Sequence, residues 1–571
     1  MFPCHFGLGL AAACLALTAC GSGDEPAEGP SAVELQARCP SLAGQTIAAS
    51  AIGLPSGAAS IGSATFVPAV AQAVAAGVTT PATPDYCRVL GTIAPLDDRA
   101  QAINFQINLP IDWNGRALQY GGGGFNGTLV TGLLPLRDAA PDDPLPLARG
   151  YATLGTDSGH QAASVAASEP ASFALNDEML TNFAYASYKK VRDVSVAVMQ
   201  DFYRAKPRQV YYFGGSEGGR EGLTMAQRFP EDYDGVVSVV PVINWTGLFH
   251  AFVRNQVPQF SDWLEPEKTA LVSKAVVEAC DALDGLEDGV VNNYLACQSK
   301  VDFTALRCAD GSDQGSACLS DAEIALLKAI HTPYHFSFPL ANGLTHYPPW
   351  LYGHENALDN TAVSLVRWVT GTAAPSIPPN ASANATQWLY GSNWIRYVIA
   401  RDANFDVRGY DPDRFVARVQ ATSALMDSTS PDLSAFFARG GKLILRENAA
   451  DRAQSPLMGF EYYQSLIDRL GQAAVDQSVR LYVSPGSTHS GNARTMTDLA
   501  VVPIQVDLLD PLDAWVRAGT VPADSLVQTA KSAVAPFTVQ ASRPMCRYLS
   551  YPHYGGGDRL LAASYRCTPS N

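Results

Sequence analysis

The chain has 571 residues, of which 47% are hydrophobic and 16% are charged, and its formal net charge is −15 at pH 7. This composition is typical of a globular protein, and the length allows one large domain with an insertion or several ordinary domains. The acidic balance disfavours nucleic acid and anionic membrane surfaces as partners, so we expect no nucleic-acid ligand and membrane contact only through a lipid anchor.

The first twenty residues have the pattern of an export signal. Residues 7–19, GLGLAAACLALTA, form an apolar stretch too short to span a bilayer and suited to a signal peptide. The following LTAC at 17–20 is similar to the cleavage box of bacterial lipoproteins, so we predict a signal peptide over 1–19, lipidation of Cys20 and a flexible tether over 20–32. Because residues 1–6 contain no lysine or arginine, ordinary secretion is the alternative. Either way the protein is expected to be exported, as an outer-membrane or periplasmic lipoprotein or in secreted form.

Eight cysteines remain beyond the signal region. An even count in an oxidising compartment predicts disulfides. Proximity in the sequence suggests the pairs Cys39–Cys87, Cys280–Cys297, Cys308–Cys318 and Cys546–Cys567, although many other pairings are open. The sequence has no CxxC pair and no Cys/His cluster, so a zinc site is not expected.

Strands and helices are predicted to alternate from about residue 85. Apolar runs bounded by Gly, Pro or Asn predict strands at 103–109, 117–120, 151–154, 209–213, 235–240, 441–445 and 479–483. Helical spacing predicts helices at 180–203, after Ser216 as far as Pro230, and at 460–470. This order predicts an α/β fold with a mostly parallel sheet and helices on both faces.

The alternation stops between residues 245 and 425, a region rich in Trp, Tyr, Asn and Pro that holds four cysteines. We interpret it as a lid-like insertion into a single α/β domain. The predicted domains are therefore a first core segment at 33–244, the lid insertion at 245–425 and a second core segment at 426–571.

Residues 211–222, YYFGGSEGGREG, place a serine between glycines directly after an apolar strand. A nucleophile elbow needs small residues two before and two after the serine, where strand and helix approach closely; here these are Gly214 and Gly218. Ser216 is therefore the candidate nucleophile. The pattern alone is weak in a chain with 47 glycines, so a base, an acid and an oxyanion hole are also required.

The remaining catalytic groups have candidates at the positions that this fold uses. His489 follows the strand at 479–483 and is the candidate general base. The favoured acid is Asp451, after the strand at 441–445, with Glu447 as the alternative. The chain order Ser, Asp, His is the one expected for an α/β-hydrolase.

The glycine run GGGGFNG at 121–127 follows another predicted strand. Successive glycines let the backbone approach a substrate carbonyl, so we predict an oxyanion hole made by the amides of Gly124 and Glu217. A flexible turn is the alternative for this segment.

Taken together, these motifs resemble the tannase/feruloyl esterase family of α/β-hydrolases. The resemblance covers nearly all of residues 39–567 and rests on GGGGFNG (121–127), TDSGH (156–160), GGSEGGREG (214–222), CDALDGLEDGVVNNYLAC (280–297), the Asp451 segment and SPGSTH (484–489). It implies an α/β-hydrolase fold with a large inserted lid and a triad of Ser216, Asp451 and His489.

The resemblance also implies a structural calcium ion in the lid. The family's ligands correspond here to the side chains of Asp281, Asp284 and Asp288 and to the backbone carbonyls of Leu286 and Val290. Hard oxygen ligands in a glycine-punctuated loop suit Ca²⁺, and a Cys280–Cys297 disulfide would enclose the loop. A solvated acidic loop is the alternative.

Two positions depart from the family pattern. Relatives carry a cysteine before the nucleophile and another after the histidine, bonded together, where this chain has Gly215 and Ser490. Either packing and hydrogen bonds then hold the geometry of the site, or the site is looser than in relatives. Relatives also have His-Gly where this chain has Glu447-Asn448, which makes Asp451 a weaker prediction than Ser216 and His489.

The predicted function is that of a serine carboxylic-ester hydrolase acting on small esters of aromatic acids, such as feruloyl or galloyl esters. Four aromatic residues are predicted to contact the acyl group or to fill the lid core: Phe125, Trp388, Tyr390 and Trp394. Hydrolysis of terephthalate half-esters is an alternative, although residues 384–393 contain no arginine to hold a carboxylate and only Arg396 lies nearby. Alternatives from other classes are a non-catalytic binding lipoprotein and a peptidase on the same fold. The sequence does not predict an oligomeric state.

Overall fold

The structure is a computed structural model, and it describes residues 29–491 and 493–570. The predicted signal peptide, Cys20 and most of the predicted tether lie outside the described residues. The first helix begins at Ala32, where the side chain of Ser31 caps it together with Glu34. Within the described residues, no helix combines the length and the apolar character needed to cross a membrane.

A twelve-stranded sheet runs through the core. Its strands in chain order are β1 Thr46–Ile47, β2 Ala59–Val67, β3 Tyr86–Ile93, β4 Ile103–Pro110, β5 Arg116–Tyr120, β6 Ala152–Thr156, β7 Gln209–Gly215, β8 Gly235–Val239, β9 Lys442–Asn448, β10 Val479–Ser484, β11 Ser525–Lys531 and β12 Val539–Arg547. In space the order is β1-β2-β3-β4-β6-β5-β7-β8-β9-β10-β12-β11. The six central strands pair in parallel; in their spatial order they are β6, β5, β7, β8, β9 and β10. Antiparallel strands extend the sheet on both sides.

The central strands are buried on both faces, as a parallel sheet covered by helices requires. All residues of β6, β8 and β10 are buried. The α-helices are α1 Ala32–Arg38, α2 Asp177–Thr181, α3 Ser187–Tyr203, α4 Glu217–Arg228, α5 Trp245–Gln256, α6 Thr269–Cys280, α7 Tyr294–Cys297, α8 Asp321–Ile330, α9 Thr386–Trp394, α10 Val416–Met426, α11 Ser434–Ala438, α12 Pro456–Leu470, α13 Gln472–Ser478 and α14 Leu509–Ala518. This is the α/β-hydrolase architecture with a mostly parallel sheet that the sequence predicts.

Sequence reasoning missed the antiparallel edges and one helix irregularity. It did not predict β2, which lies before residue 85 where the alternation of strands and helices begins. Nor did it predict β3 or the hairpin of β11 and β12, which do not alternate with helices. The single helix predicted at 180–203 is instead α2 and α3 joined by a π-helical turn at Asn182–Ala186. The other predicted strands and helices agree with the observed elements to within a few residues.

The region between β8 and β9 contains helices and loops, with two short hairpins as its only described strands. The hairpins pair Tyr334–His335 with His346–Tyr347, and Leu358–Asp359 with Ala362–Val363. Because β8 and β9 are adjacent parallel strands, this segment leaves the sheet at the carboxyl end of β8 and returns to it at the amino end of β9. Its residues reach the site described below from the carboxyl ends of the strands.

All four disulfides suggested by sequence proximity are present. Cys39–Cys87 ties the first helical segment to β3, and Cys280–Cys297 closes the acidic loop after α6. Cys308–Cys318 lies within the insertion, and Cys546–Cys567 links β12 to the chain end.

Candidate active site

Ser216 lies on a sharp turn between β7 and α4. Its backbone has φ 61° and ψ −123°, a conformation that a non-glycine residue adopts only under strain. The flanking glycines are required by close approach: a Cβ on Gly214 would lie 2.1 Å from the Gly218 carbonyl oxygen, and a Cβ on Gly218 would lie 2.7 Å from the Gly122 carbonyl oxygen. The sequence therefore folds into the strand–turn–helix that the G-x-S-x-G motif needs.

The side chains of Ser216, His489 and Asp451 form a continuous hydrogen-bonded chain. His489 Nε2 lies 2.9 Å from Ser216 Oγ, and His489 Nδ1 lies 2.6 Å from Asp451 Oδ2. Asp451 is fully buried and also accepts hydrogen bonds from the backbone amides of Ala453 and Gln454, at 2.7 and 3.1 Å. The carboxylate that contacts the imidazole is thus Asp451 and not the alternative, Glu447.

Glu447 lies behind Asp451 instead of beside the histidine. Its Oε2 accepts a hydrogen bond from Gln454 Nε2 at 2.8 Å, and the same amide lies 3.3 Å from Asp451 Oδ2. Burial, together with the charge of Asp451, raises the pKa of Glu447 well above its usual range. The raised pKa of Glu447 disfavours a second negative charge beside Asp451.

The glycine loop at 121–127 packs against the start of α4. Gly124 has φ 60°, and among the described residues neither its amide nor that of Glu217 donates to a protein acceptor. The Glu217 side chain faces away into a buried ion pair with Arg220. Both predicted oxyanion donors therefore have no competing protein acceptor among the described residues.

Glu221, which the sequence analysis did not single out, holds the glycine loop in place. Its carboxylate accepts hydrogen bonds from the Gly122 amide at 3.0 Å, the Asn126 side-chain amide at 2.7 Å and the Tyr212 hydroxyl at 2.5 Å. The signal available in the sequence was a glutamate five residues after the nucleophile, on a helix whose glycines mark a buried face.

The four predicted aromatic residues do not share one environment. Phe125, Tyr390 and Trp394 belong to a buried cluster, with ring centroids 5.0 Å apart for Phe125–Tyr390 and 6.4 Å for Phe125–Trp394. The Tyr390 hydroxyl borders the glycine loop at 121–127, since a Cβ on Gly124 would lie 2.8 Å from it. Trp388 instead donates to the Ser376 carbonyl at 2.8 Å inside the insertion.

A tryptophan that the sequence analysis overlooked faces the histidine directly. The ring of Trp368 lies edge-on to the His489 imidazole, with centroids 5.4 Å apart, and Arg367 lies over the Trp368 ring at 5.1 Å. Arg396, considered above as a substitute carboxylate ligand, donates to the Ala403 carbonyl and pairs with Glu169 at 3.3 Å. Of these two arginines of the insertion, Arg367 is therefore the one that lies near His489, because it contacts Trp368.

Arg137 occupies the space beside Gly215. A Cβ on Gly215 would lie 2.5 Å from Arg137 Cδ, and the Arg137 guanidinium donates to the backbone carbonyl of His489. A single side chain thus contacts the residue before the nucleophile and the histidine itself. Arg137 also lines an open cavity of about 600 Å³, which the glycine loop and residues 213–215 border.

The acidic loop after α6 contains three buried aspartates: Asp281, Asp284 and Asp288. Asp281 accepts from the Gly289 amide and Asp284 from the Leu286 amide, while Asp288 pairs with Arg543 at 3.0 Å. Burial raises the pKa of Asp284 to about 7. Within the described part of the chain, no three His, Cys, Asp or Glu side chains converge on one metal-binding point. Buried carboxylates in a disulfide-closed loop are the donor type that calcium prefers. Binding an ion there would require Asp281 and Asp284 to release their backbone amides and Asp288 to release Arg543.

The chain is similar to known esterases over most of its length. A family model described as tannase and feruloyl esterase matches residues 87–568. An uncharacterized esterase of Agrobacterium fabrum is 35% identical over 543 residues, covering 93% of this chain and 92% of that protein. The mono(2-hydroxyethyl) terephthalate hydrolase of Piscinibacter sakaiensis is 32% identical over 546 residues, covering 85% of each. The crystal structure of feruloyl esterase B from Aspergillus oryzae superposes with a TM-score of 0.72 at 24% identity, covering 94% of this chain and 100% of that one.

Proposed function

Because the chain belongs to the tannase and feruloyl esterase family, a family of esterases, we propose that it is an exported serine esterase of aromatic-acid esters with Ser216 as its nucleophile. The single observation that carries the assignment of the nucleophile is the hydrogen-bonded chain from Ser216 through His489 to Asp451. A strained serine with a histidine base and a buried, oriented acid is the constellation that acyl transfer requires.

In the proposed mechanism, Ser216 Oγ attacks the ester carbonyl carbon while His489 Nε2 takes the hydroxyl proton. Asp451 accepts the Nδ1–H bond throughout and stabilises the imidazolium. The tetrahedral oxyanion is held by the amides of Gly124 and Glu217. Collapse breaks the ester C–O bond, and His489 returns the proton to the departing alcohol. A water then attacks the acyl-serine with the same base, releasing the acid and restoring Ser216.

Aromatic residues around the oxyanion loop support an aromatic acyl group. The Tyr390 hydroxyl borders Gly124 and the Trp368 ring lies edge-on to His489, so one aromatic residue lies beside the predicted oxyanion donor and another beside the base. An aromatic ring placed between them gains stacking contacts beyond simple burial. Feruloyl and galloyl esters are the proposed substrates, in line with the family that the chain matches.

Hydrolysis of terephthalate half-esters is the second candidate. It is favoured by the relative of that name and by Arg367, which is partly exposed and lies over Trp368 beside the histidine. A half-ester keeps one carboxylate, and a guanidinium next to an aromatic surface suits a benzoate. The substitution Arg367→Gln separates the candidates, since it should raise KM for a terephthalate half-ester and leave KM for methyl ferulate unchanged.

The test of the proposal is the activity of Ser216→Ala on a p-nitrophenyl ester and on feruloyl, galloyl, terephthaloyl and simple alkyl esters. Loss of the triad members is expected to leave only about a millionth of kcat. Unchanged turnover by Ser216→Ala would favour the alternative of a binding protein without catalysis. Cleavage of peptide amides by the parent enzyme would favour a peptidase.

The proposal also includes export with a lipid anchor and a bound calcium ion. Export with lipidation of Cys20 is supported by the LTAC segment, and labelling with a radioactive fatty acid should fail in Cys20→Ser.

A structural calcium ion in the 281–290 loop is supported by its three buried aspartates and its enclosing disulfide. The chain would hold it with Asp281, Asp284 and Asp288 and the carbonyls of Leu286 and Val290.

A further inference from the structure

The main chain around His489 is held by side chains from three separate segments. Asn448 Nδ2 donates to the Thr488 carbonyl at 2.8 Å, Arg137 donates to the His489 carbonyl, and the Ser490 amide donates to Asp359 Oδ1 at 2.7 Å. The first two side chains belong to the core. Asp359 alone among the three comes from the insertion, where it ends the first strand of the short hairpin at Leu358–Asp359.

Asp359 is a fully buried carboxylate with several partners around the histidine. Its Oδ2 accepts a hydrogen bond from the indole N–H of Trp368, the residue whose ring lies edge-on to His489. Its Oδ1 lies 3.6 Å from Arg367 Nη1, and Arg367 in turn donates to Ser490 Oγ at 2.9 Å. The insertion therefore touches the histidine turn through the Asp359 carboxylate and two neighbouring side chains, and also through the Leu358 carbonyl, which accepts from Thr488 Oγ1 at 3.0 Å.

The triad as described above does not account for this carboxylate. A buried carboxylate charge is costly unless it is paired and hydrogen-bonded. Burial by itself would raise the pKa of Asp359. The pKa is nevertheless below its usual range because four neighbours favour the charged form: His489, the Ser490 amide, Trp368 and Arg367. The charge of Asp359 thus interacts favourably with a positive charge on His489.

We propose that Asp359 is a positioning residue that fixes the main chain of the histidine turn and supplies a second negative charge for the imidazolium formed during ester cleavage. This inference rests on the proposed function of Ser216 and His489. It makes the insertion part of the catalytic machinery, because His489 is fully held only when the hairpin at 358–363 is docked. The charged groups that face His489 are then Asp451 on its Nδ1 side, Asp359 and Arg367 from the insertion, and Arg137 at its carbonyl.

The test separates the charge of Asp359 from its hydrogen bonds. An asparagine at this position presents an amide N–H to either Trp368 or Ser490, both of which are donors, so the single variant is ambiguous. We therefore compare Trp368→Phe with the double variant Trp368→Phe/Asp359→Asn, in which the amide no longer meets the indole N–H. The measurements are kcat, KM and the pH profile of kcat/KM on a p-nitrophenyl ester.

Relative to Trp368→Phe, the double variant should have a kcat about tenfold lower with a KM within about twofold. The acid limb of kcat/KM should move to lower pH by about one unit, because a nearby negative charge that favoured the protonated imidazole is gone. Arg367→Gln, at a partly exposed position, should move the same limb to higher pH. Glu323→Gln, which removes a buried carboxylate paired with Lys268 elsewhere in the insertion, should leave the limb in place.

The outcomes distinguish this inference from the proposed function. If Ser216→Ala keeps its activity, the proposed function itself fails. If Ser216→Ala is inactive and the double variant has the kcat and the acid limb of Trp368→Phe, the positioning role of Asp359 is overturned. If the double variant does not fold, an unmoved acid limb in Arg367→Gln overturns the electrostatic role.

Discussion

The carboxylate of Glu221 accepts a hydrogen bond from the side-chain amide of Asn126 at 2.7 Å. This contact joins the elbow helix to the glycine loop. Asn126 in turn accepts from the Gly123 amide at 2.6 Å, so the glycine run is fixed through side chains although it carries almost none of its own. The placement of the Gly124 amide relative to Ser216 depends on these bonds.

Glu221→Gln is therefore expected to lower kcat while leaving KM nearly unchanged. A glutamine amide would present N–H groups where Gly122 and Asn126 both donate, and the loop would lose part of its preorganisation. Since removing an oxyanion donor outright costs about 100-fold to 1,000-fold in kcat, loosening one should cost about 10-fold to 100-fold. Steady-state kinetics on a p-nitrophenyl ester measure this, with the exposed Glu231→Gln as the matched control. A normal kcat in Glu221→Gln would show that the loop is held by other contacts.

Gly215→Ala should also impair catalysis, through Arg137. The new methyl group would lie 2.5 Å from Arg137 Cδ and would force the guanidinium away from the His489 carbonyl. Crowding of this kind in a packed site costs about 1–3 kcal/mol of stability. We expect a lower melting temperature together with a several-fold loss of kcat. The control is Gly409→Ala, whose methyl group meets nothing within 4 Å. If Gly215→Ala and Gly409→Ala behave alike, Arg137 has no role in holding the histidine.

The residues of the site that the sequence predicts are those that obey local rules. Ser216 sits on the turn that its flanking glycines permit, and His489 and Asp451 each follow a parallel strand whose end faces the same edge of the sheet. Strand order and motif spacing are enough to place such residues. The antiparallel strands β2, β3, β11 and β12 carry no such motif, and they were missed.

The supporting residues could not be found in this way because their contacts are long-range. Arg137 meets His489 across 352 positions of the chain, and Asp359 meets Ser490 across 131. No periodicity or spacing relates such pairs, and an arginine or an aspartate in a loop looks like any solvated charge. The departures at Gly215 and Ser490 indicate only that contacts other than a disulfide hold the backbone next to Ser216 and His489. The structure shows contacts of Arg137, Asp359 and Arg367 there.

Removal of calcium should lower thermal stability if the 281–290 loop holds the ion. An ion present at about 100 times its dissociation constant adds about 3 kcal/mol to the free energy of unfolding, so EDTA should lower the melting temperature by several degrees. Asp284→Asn should abolish this sensitivity, since it removes the charge of a fully buried carboxylate, whereas the exposed Asp302→Asn should retain it. Calorimetric titration of the EDTA-treated protein with Ca²⁺ gives a second readout. An unchanged melting temperature in EDTA, with no heat of binding, would contradict the calcium assignment.

His160 should make stability fall in mild acid. Its imidazole stacks on Phe173 at 3.6 Å and donates through Nε2 to the Phe125 carbonyl at 2.8 Å, and burial lowers its pKa from 6.5 to about 4. Below pH 6.5 the unfolded chain binds a proton that the folded chain does not bind until about pH 4. The free energy of unfolding contributed by this group therefore declines as the pH falls through that window, by about 3 kcal/mol in total.

Other buried groups titrate in the same range and raise the free energy of unfolding as the pH falls, such as Asp427, whose pKa burial raises to about 6. The effect of His160 is therefore measured as the difference between the parent and a variant. His160→Gln keeps an N–H donor for the Phe125 carbonyl and cannot be protonated. Urea unfolding at pH 7 and pH 5 should show the parent losing about 2 kcal/mol more than His160→Gln between the two. The exposed His335→Gln should follow the parent. Equal losses in the parent and in His160→Gln would mean that the imidazole is protonated in the folded protein at pH 5, which is incompatible with a buried, neutral ring beneath the oxyanion loop.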